Sequence, residues 1–215
     1  MTHSTSPKRP RRVADVRIAL LGVAIAASSV LAAGPRDVVH QLGDEVLAVL
    51  RDKSATNEQK RERILDISKR GVDFETLSRL VLARNWNRLT PDEQARFQEE
   101  FRRHLAVTYG NAVDNYRNEH MVILGDREEA RGDWTVKTKI PRGGEDILVD
   151  YRLRQSRGEW KIIDFIVEGV SLVSNFRSQF QDLLASKTPA QLIDLLHEKN
   201  VRGESIVKDK PQEAS

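Results

Sequence analysis

Cysteine is absent from the 215 residues of the chain. That removes disulfide frameworks, thiolate zinc sites, iron–sulfur clusters, cysteine nucleophiles and lipid attachment through an N-terminal cysteine. Histidine is sparse: His3, His40, His104, His120 and His197 are scattered, and no two stand at a metal-ligand spacing, so neither a metal site nor a cofactor is expected. Glycine (12) and proline (7) are at ordinary levels, which excludes collagen-like and low-complexity classes. Neither sign of charge dominates, with 35 basic against 32 acidic side chains and a formal charge of +3. With 39% hydrophobic residues and one long uncharged apolar run, the chain is no multi-span membrane protein, and its length suits one ordinary globular domain, or two small ones, with a sizeable core.

That single run, Ile18 to Leu31, follows a basic head of Lys8, Arg9, Arg11, Arg12 and Arg17. A charged head and a short apolar stretch ending in small residues make the layout of a secretory signal peptide, with processing expected near Ala32. Loss of residues 1–32 takes five basic side chains and one acidic one, leaving 30 against 31 and a charge of −1. The mature chain is thus close to neutral and expected in an extracytoplasmic space, where nucleic acid is not an expected partner.

Residues 33–200 read as one domain. Pro35 opens a helix with Val38, Val39, Leu42, Val46, Leu47 and Leu50 on one side, and Thr56 with Gln59 has capping-box spacing for a second, ended by Gly71. Asp73 caps a third. Thr90-Pro91 with Glu93 starts a fourth, on which Phe97, Phe101, Leu105, Tyr109, Val113 and Tyr116 form a stripe of about seven turns. From Met121 the period becomes two, giving strands over 121–124, 134–140, 147–154 and 160–167. The last carries Ile163, Phe165 and Val167 on one face and Ile162 and Ile166 on the other, the pattern of a strand covered on both sides. Ser171 and Thr188 cap two final helices, and residues 201–215 read as a disordered polar tail. The order is that of an α+β fold with helices packed on a curved antiparallel sheet of about four strands.

Catalytic chemistry finds no support. Ser171 lies in Gly169-Val170-Ser171-Leu172-Val173, which lacks the second glycine of a nucleophile elbow. Gly143-Gly144 sits between two strands and makes a hairpin, with no helix following to cradle phosphate. Asp150 and Asp164 fall within strands, and nothing in the sequence brings them together as an acid/base pair.

Several stretches resemble the MlaC family, the toluene-tolerance periplasmic proteins. They are Phe74-Glu75-Thr76-Leu77-Ser78-Arg79-Leu80-Val81-Leu82, Trp86, Thr90-Pro91-Asp92-Glu93, Thr108-Tyr109-Gly110-Asn111-Ala112, Val149-Asp150-Tyr151-Arg152-Leu153-Arg154 and Gly158-Glu159-Trp160-Lys161-Ile162-Ile163-Asp164. The most specific is Ile166-Val167-Glu168-Gly169-Val170-Ser171-Leu172-Val173 followed by Phe176-Arg177-Ser178-Gln179-Phe180, with Phe176 where the family usually has tyrosine. The resemblance spans about residues 36–200. It implies a non-enzymatic periplasmic carrier that shuttles phospholipid between an outer-membrane lipoprotein complex and the substrate-binding complex of an inner-membrane ABC transporter, with the acyl chains in an apolar pocket. Given such a pocket, facing and size select Phe97, Phe101, Leu105 and Tyr109 from the long helix and Val136, Val149, Tyr151, Phe165 and Val167 from the strands, with Val170, Leu172 and Val173 at its mouth. Competing readings are a hopanoid-like cargo, a small enzyme on a similar scaffold, and an interaction protein with a filled core.

Overall fold

A computed structural model describes Met1 and residues 33–207. The expected signal peptide lies outside the described residues, Met1 apart. The helices begin where local capping chemistry directs. In α1 (Pro35–Arg51) proline occupies the first turn. In α2 (Asn57–Gly71) the Thr56 hydroxyl accepts from Gln59 N–H while Gln59 reaches back to Thr56 N–H, and in α3 (Phe74–Leu82) Asp73 accepts from Thr76 N–H. A 3₁₀ turn over Ala83–Arg88 leads to α4 (Pro91–Tyr109), with the Thr90/Glu93 capping box in place.

The long helix is shorter than its stripe predicts. It ends at Tyr109, and after Gly110 only a turn, α5 (Asn111–Asp114), follows. β-Branched Val107 and Thr108, then Tyr109 and Gly110, make a weak helical stretch, and the break takes Tyr116 off the helix.

A meander follows: β1 (Val122–Glu128), β2 (Trp134–Arg142), β3 (Glu145–Ser156), β4 (Glu159–Val167) and β5 (Val170–Ser171), all antiparallel in the order 1-2-3-4-5. The fifth strand, absent from the four-strand expectation, exists because Glu168 (φ 50°) and Gly169 (φ 80°) make a two-residue turn that folds Val170 back onto Val167. β4 also departs from simple alternation. Leu153 pairs with Ile162 and Arg152 with Asp164, so Ile163 is the extra residue of a bulge. The bulge moves Ile162 onto the side of Phe165 and Val167, overturning the expected grouping of Ile163 with those two.

The chain closes with α6 (Leu172–Leu184) and α7 (Pro189–Arg202). The expected disordered tail does not begin at residue 201: α7 runs through Val201 and Arg202, and Val207 is buried, while residues 208–215 lie outside the described residues. His104 explains part of this, since its Nε2 accepts from Ile206 N–H at 3.1 Å while its Nδ1 contacts Asn200 Oδ1 at 2.9 Å.

Two regions of packing differ in kind. On one side α3, α4, α6 and α7 enclose a solid core, in which Phe97, Phe101, Phe176 and Phe180 are all fully buried with ring centroids 5.0–5.7 Å apart. On the other, α1 and α2 lie over the sheet without filling the space beneath them.

Candidate functional site

That space is a cavity of about 1090 Å³. Val46, Leu47 and Leu50 of α1 and Ile64 and Ile67 of α2 form one wall; Ile147 and Tyr151 of β3 with Ile162, Phe165 and Val167 of β4 form the other. Tyr109 at the end of α4 and Met121 before β1 close the gap between them. Leu42, Val46, Leu47 and Leu50 face inward yet remain only partly buried, because they look onto open volume and not onto packed atoms. Met121 lies against Gly43, where an added Cβ would come within 2.3 Å of its methyl carbon. A glycine there lets the chain after α5 approach α1 this closely.

The polar atoms inside are few. The Tyr151 hydroxyl is 3.9 Å from Met121 Sδ, and its ring meets Phe165 edge-on at 5.6 Å. Burial pushes the Tyr151 pKa up to about 12, a hydrogen bond with Thr138 opposing only in part, and burial raises that of Tyr109 as well. Neither phenol is poised as an acid or base near neutral pH. No group of three His, Asp or Glu side chains suited to a metal ion occurs among the described residues. Asp164, entertained as an acid/base partner of Asp150, is buried and structural: it accepts from Ser171 Oγ at 2.6 Å and from Val173 N–H at 3.0 Å, anchoring the start of α6.

Of the twelve residues selected from sequence, Tyr109, Tyr151, Phe165 and Val167 line the cavity. Phe97 and Phe101 lie instead in the aromatic core, and Val136, also fully buried, packs into the same cluster. Leu105 and Leu172 are half-buried against that core, Val149 and Val173 are buried, and Val170 is exposed at the β4–β5 turn. The wall built by α1 and α2 lies outside that set, although both apolar stripes are visible in the sequence. The available signal was their composition: aliphatic side chains without one aromatic ring, smooth enough to bound a space without filling it.

Toward solvent the lining becomes polar. Arg142 Nη2 donates to Asn115 O at 3.4 Å, and its Nε lies 3.5 Å from Glu119 Oε1. The Tyr116 hydroxyl donates to Glu119 O at 3.1 Å and accepts from Arg51 Nε at 3.2 Å. The result is a mostly apolar chamber with a polar opening.

Comparison with known proteins agrees with this geometry. Residues 40–198 match the MlaC protein family. A toluene tolerance protein, Ttg2D of Pseudomonas putida, is 30% identical over 162 residues, covering 73% of this chain and 75% of its own. The structure of a phospholipid-binding protein from Ralstonia solanacearum, solved in complex with a phospholipid, superposes with a TM-score of 0.74 at 26% identity, covering 80% of this chain and 99% of that one. Since the family match takes in most of the chain and the fold agrees with it, this chain belongs to the MlaC family, a family of lipid carriers and not of enzymes.

Proposed function

We propose that this protein carries a diacyl phospholipid through the periplasm, with both acyl chains in the cavity between α1, α2 and the sheet. The observation that supports it most is the cavity's size and lining. A methylene takes about the room of a water molecule, roughly 30 Å³, so 1090 Å³ corresponds to on the order of 35 methylenes, close to two chains of sixteen carbons. Small-molecule pockets usually reach no more than about 1,000 Å³ and hold compact ligands.

The energetics explain the need for a carrier. At about 0.8 kcal/mol per methylene, exposing two such chains to water costs on the order of 25 kcal/mol. Spontaneous crossing of an aqueous gap is negligible, whereas transfer from a bilayer into an equally apolar cavity is nearly neutral. Contacts with partners that bias the cavity by a few kcal/mol then suffice to set direction. The partners proposed are an outer-membrane lipoprotein complex as one terminus and the substrate-binding complex of an inner-membrane ABC transporter as the other, which together maintain outer-membrane lipid asymmetry. The basic and apolar leader supports export to the periplasm, and no helix among the described residues is long and apolar enough to cross a membrane. The lipid-contacting set proposed is Tyr109, Tyr151, Phe165 and Val167 together with the aliphatic walls of α1 and α2.

The test is to purify the mature protein without detergent, extract it with organic solvent and identify what it carries by mass spectrometry. Stoichiometric phospholipid is expected. A cyclic triterpenoid would move the cargo to hopanoid-like lipids, and an empty extract would contradict the carrier reading.

A further inference from the structure

The lining changes character along the cavity. Val39, Ile67, Gly71, Val72 and Ile162 are buried and mark the blind end, whereas Gly143, Glu145, Asp146 and Glu168 are exposed and mark the mouth, between the β2–β3 hairpin and the β4–β5 turn. Among the described residues lining the cavity there is one basic side chain, Arg142, against four carboxylates, Glu119, Glu145, Asp146 and Glu168. Two of those acids face cations: Asp146 receives Lys139 Nζ at 2.7 Å and Glu119 faces Arg142 at 3.5 Å. The Glu168 carboxylate accepts from Leu148 N–H at 2.5 Å, a backbone contact that leaves its charge uncompensated, and Glu145 makes no ion pair among the described residues. Arg142 is held at long range, 3.4 Å from Asn115 O and 3.5 Å from Glu119 Oε1, and its side chain keeps 30% of its exposure. A guanidinium so loosely held is available to phosphate oxygens, which it matches in charge and planar geometry.

The geometry points to selection of zwitterionic over anionic phospholipids at this mouth, an inference that rests on the carrier reading above. A lipid with both tails in the cavity emerges where Arg142 meets its phosphodiester. Arg142 pairs directly with Glu145 across the hairpin, their Cα atoms about 5 Å apart as in any antiparallel pair. A two-carbon linker places an ammonium at a similarly short distance beyond the phosphate. Ethanolamine and choline head groups therefore bring a cation to Glu145, and Glu168, held at Leu148 about 10 Å farther along β3, adds negative charge to the same rim. A glycerol head group brings none, leaving the phosphate charge facing an acidic rim. The specificity comes from like-charge rejection of the anionic lipid as much as from attraction of the zwitterionic one.

The experiment is competition from one membrane. The mature protein is incubated with vesicles of equal parts phosphatidylethanolamine and phosphatidylglycerol with identical acyl chains, re-isolated, and its lipid quantified by mass spectrometry. Phosphatidylethanolamine is expected to exceed phosphatidylglycerol about two- to fivefold, the scale of screened surface charge contacts. The ratio should fall toward one in molar salt, where screening acts within about 3 Å. In Glu145→Gln/Glu168→Gln the preference should be lost at low salt. Equal loading of the two lipids by the wild type, a preference for phosphatidylglycerol, or a ratio indifferent to salt overturns the proposal even if the double variant fails to fold. An unchanged ratio in a folded double variant overturns the assignment to these carboxylates. Uptake of neither lipid refutes the carrier reading itself, and the selection with it.

Discussion

Replacing Val167 with glutamate separates a lipid cavity from an ordinary core. Val167 lines the cavity from β4, paired with Val149 on one side and Val170 on the other, and is half-buried. With the cavity empty, a glutamate there can hydrate through the mouth, so the fold should lose little. With acyl chains in place, the carboxylate faces hydrocarbon without a partner and must either stay charged in an apolar medium or take up a proton. Burial raises carboxylate pKa values by up to about 3–5 units. At this half-buried site about 2–3 units, at 1.36 kcal/mol each, give roughly 3–4 kcal/mol against the lipid-bound state at neutral pH. That corresponds to lipid retention on the order of 100- to 1000-fold weaker. The assay is phosphorus per mole of protein after detergent-free purification, alongside thermal unfolding by circular dichroism. Val201→Glu, on a side chain 74% exposed on α7, is the control and should stay within about 0.5 kcal/mol of wild type with its lipid intact. A folded Val167→Glu protein holding wild-type lipid would refute the reasoning.

Three further outcomes follow from the same structure. Phe101→Ala removes a ring stacked on Phe97 and edge-on to Phe176 and Phe180, and should cost about 3–5 kcal/mol in chemical denaturation while the fraction that stays folded keeps its lipid; lipid loss at unchanged stability would place Phe101 in the binding site instead. Asp164→Ala leaves the Val173 N–H and the Ser171 hydroxyl without their buried acceptor and should destabilise by about 2–3 kcal/mol, and an unchanged denaturation midpoint would contradict its anchoring role. Stability should also fall on acidification. Burial holds the His104 pKa below the ordinary value, the Asn200 hydrogen bond opposing in part, so below about pH 6.5 the unfolded chain binds a proton that the folded one refuses. For Glu100, burial alone would raise the pKa, but hydrogen bonds from Asn200 and His197 bring it below the ordinary value. Its contribution is therefore present above the usual carboxylate range and is lost as pH falls through the lowered value. Urea denaturation across this range should show a flat midpoint above about pH 7 and a decline beneath pH 6.5 that steepens in the carboxylate range; a midpoint that rises on acidification would contradict both assignments.

The features legible in the sequence are those fixed by a few neighbouring residues. Thr56/Gln59, Asp73, Thr90/Glu93, Ser171 and Thr188 each start a helix as their spacing directs, since a side-chain cap satisfies backbone donors only two or three residues away. The placement of the cavity is not of that kind. An apolar stripe shows that a face turns inward, but not whether the opposing atoms arrive. Phe97 and Phe101 look like pocket walls until Phe176 and Phe180 interdigitate with them from α6, a contact between residues some eighty positions apart. The bulge at Ile163 is equally silent, because a run of Ile162, Ile163, Phe165 and Val167 fits either phase of alternation. The end of α4 was more legible than its stripe implies: Val107, Thr108 and Tyr109 are all weak helix formers and Gly110 follows them. For the C-terminal segment the missing information was tertiary, since it is tied down by His104, which accepts from the Ile206 N–H, and by Thr108, whose hydroxyl meets Ser205 Oγ at 2.9 Å.

In the carrier reading one two-tailed lipid occupies the volume beneath α1 and α2. Native mass spectrometry of the mature protein, purified without detergent, tests it directly. A dominant species heavier than the polypeptide by the mass of one diacyl phospholipid is expected, with the excess lost in Val167→Glu. A bare polypeptide mass for the wild type, or a complex retaining two or more such lipids, would contradict it.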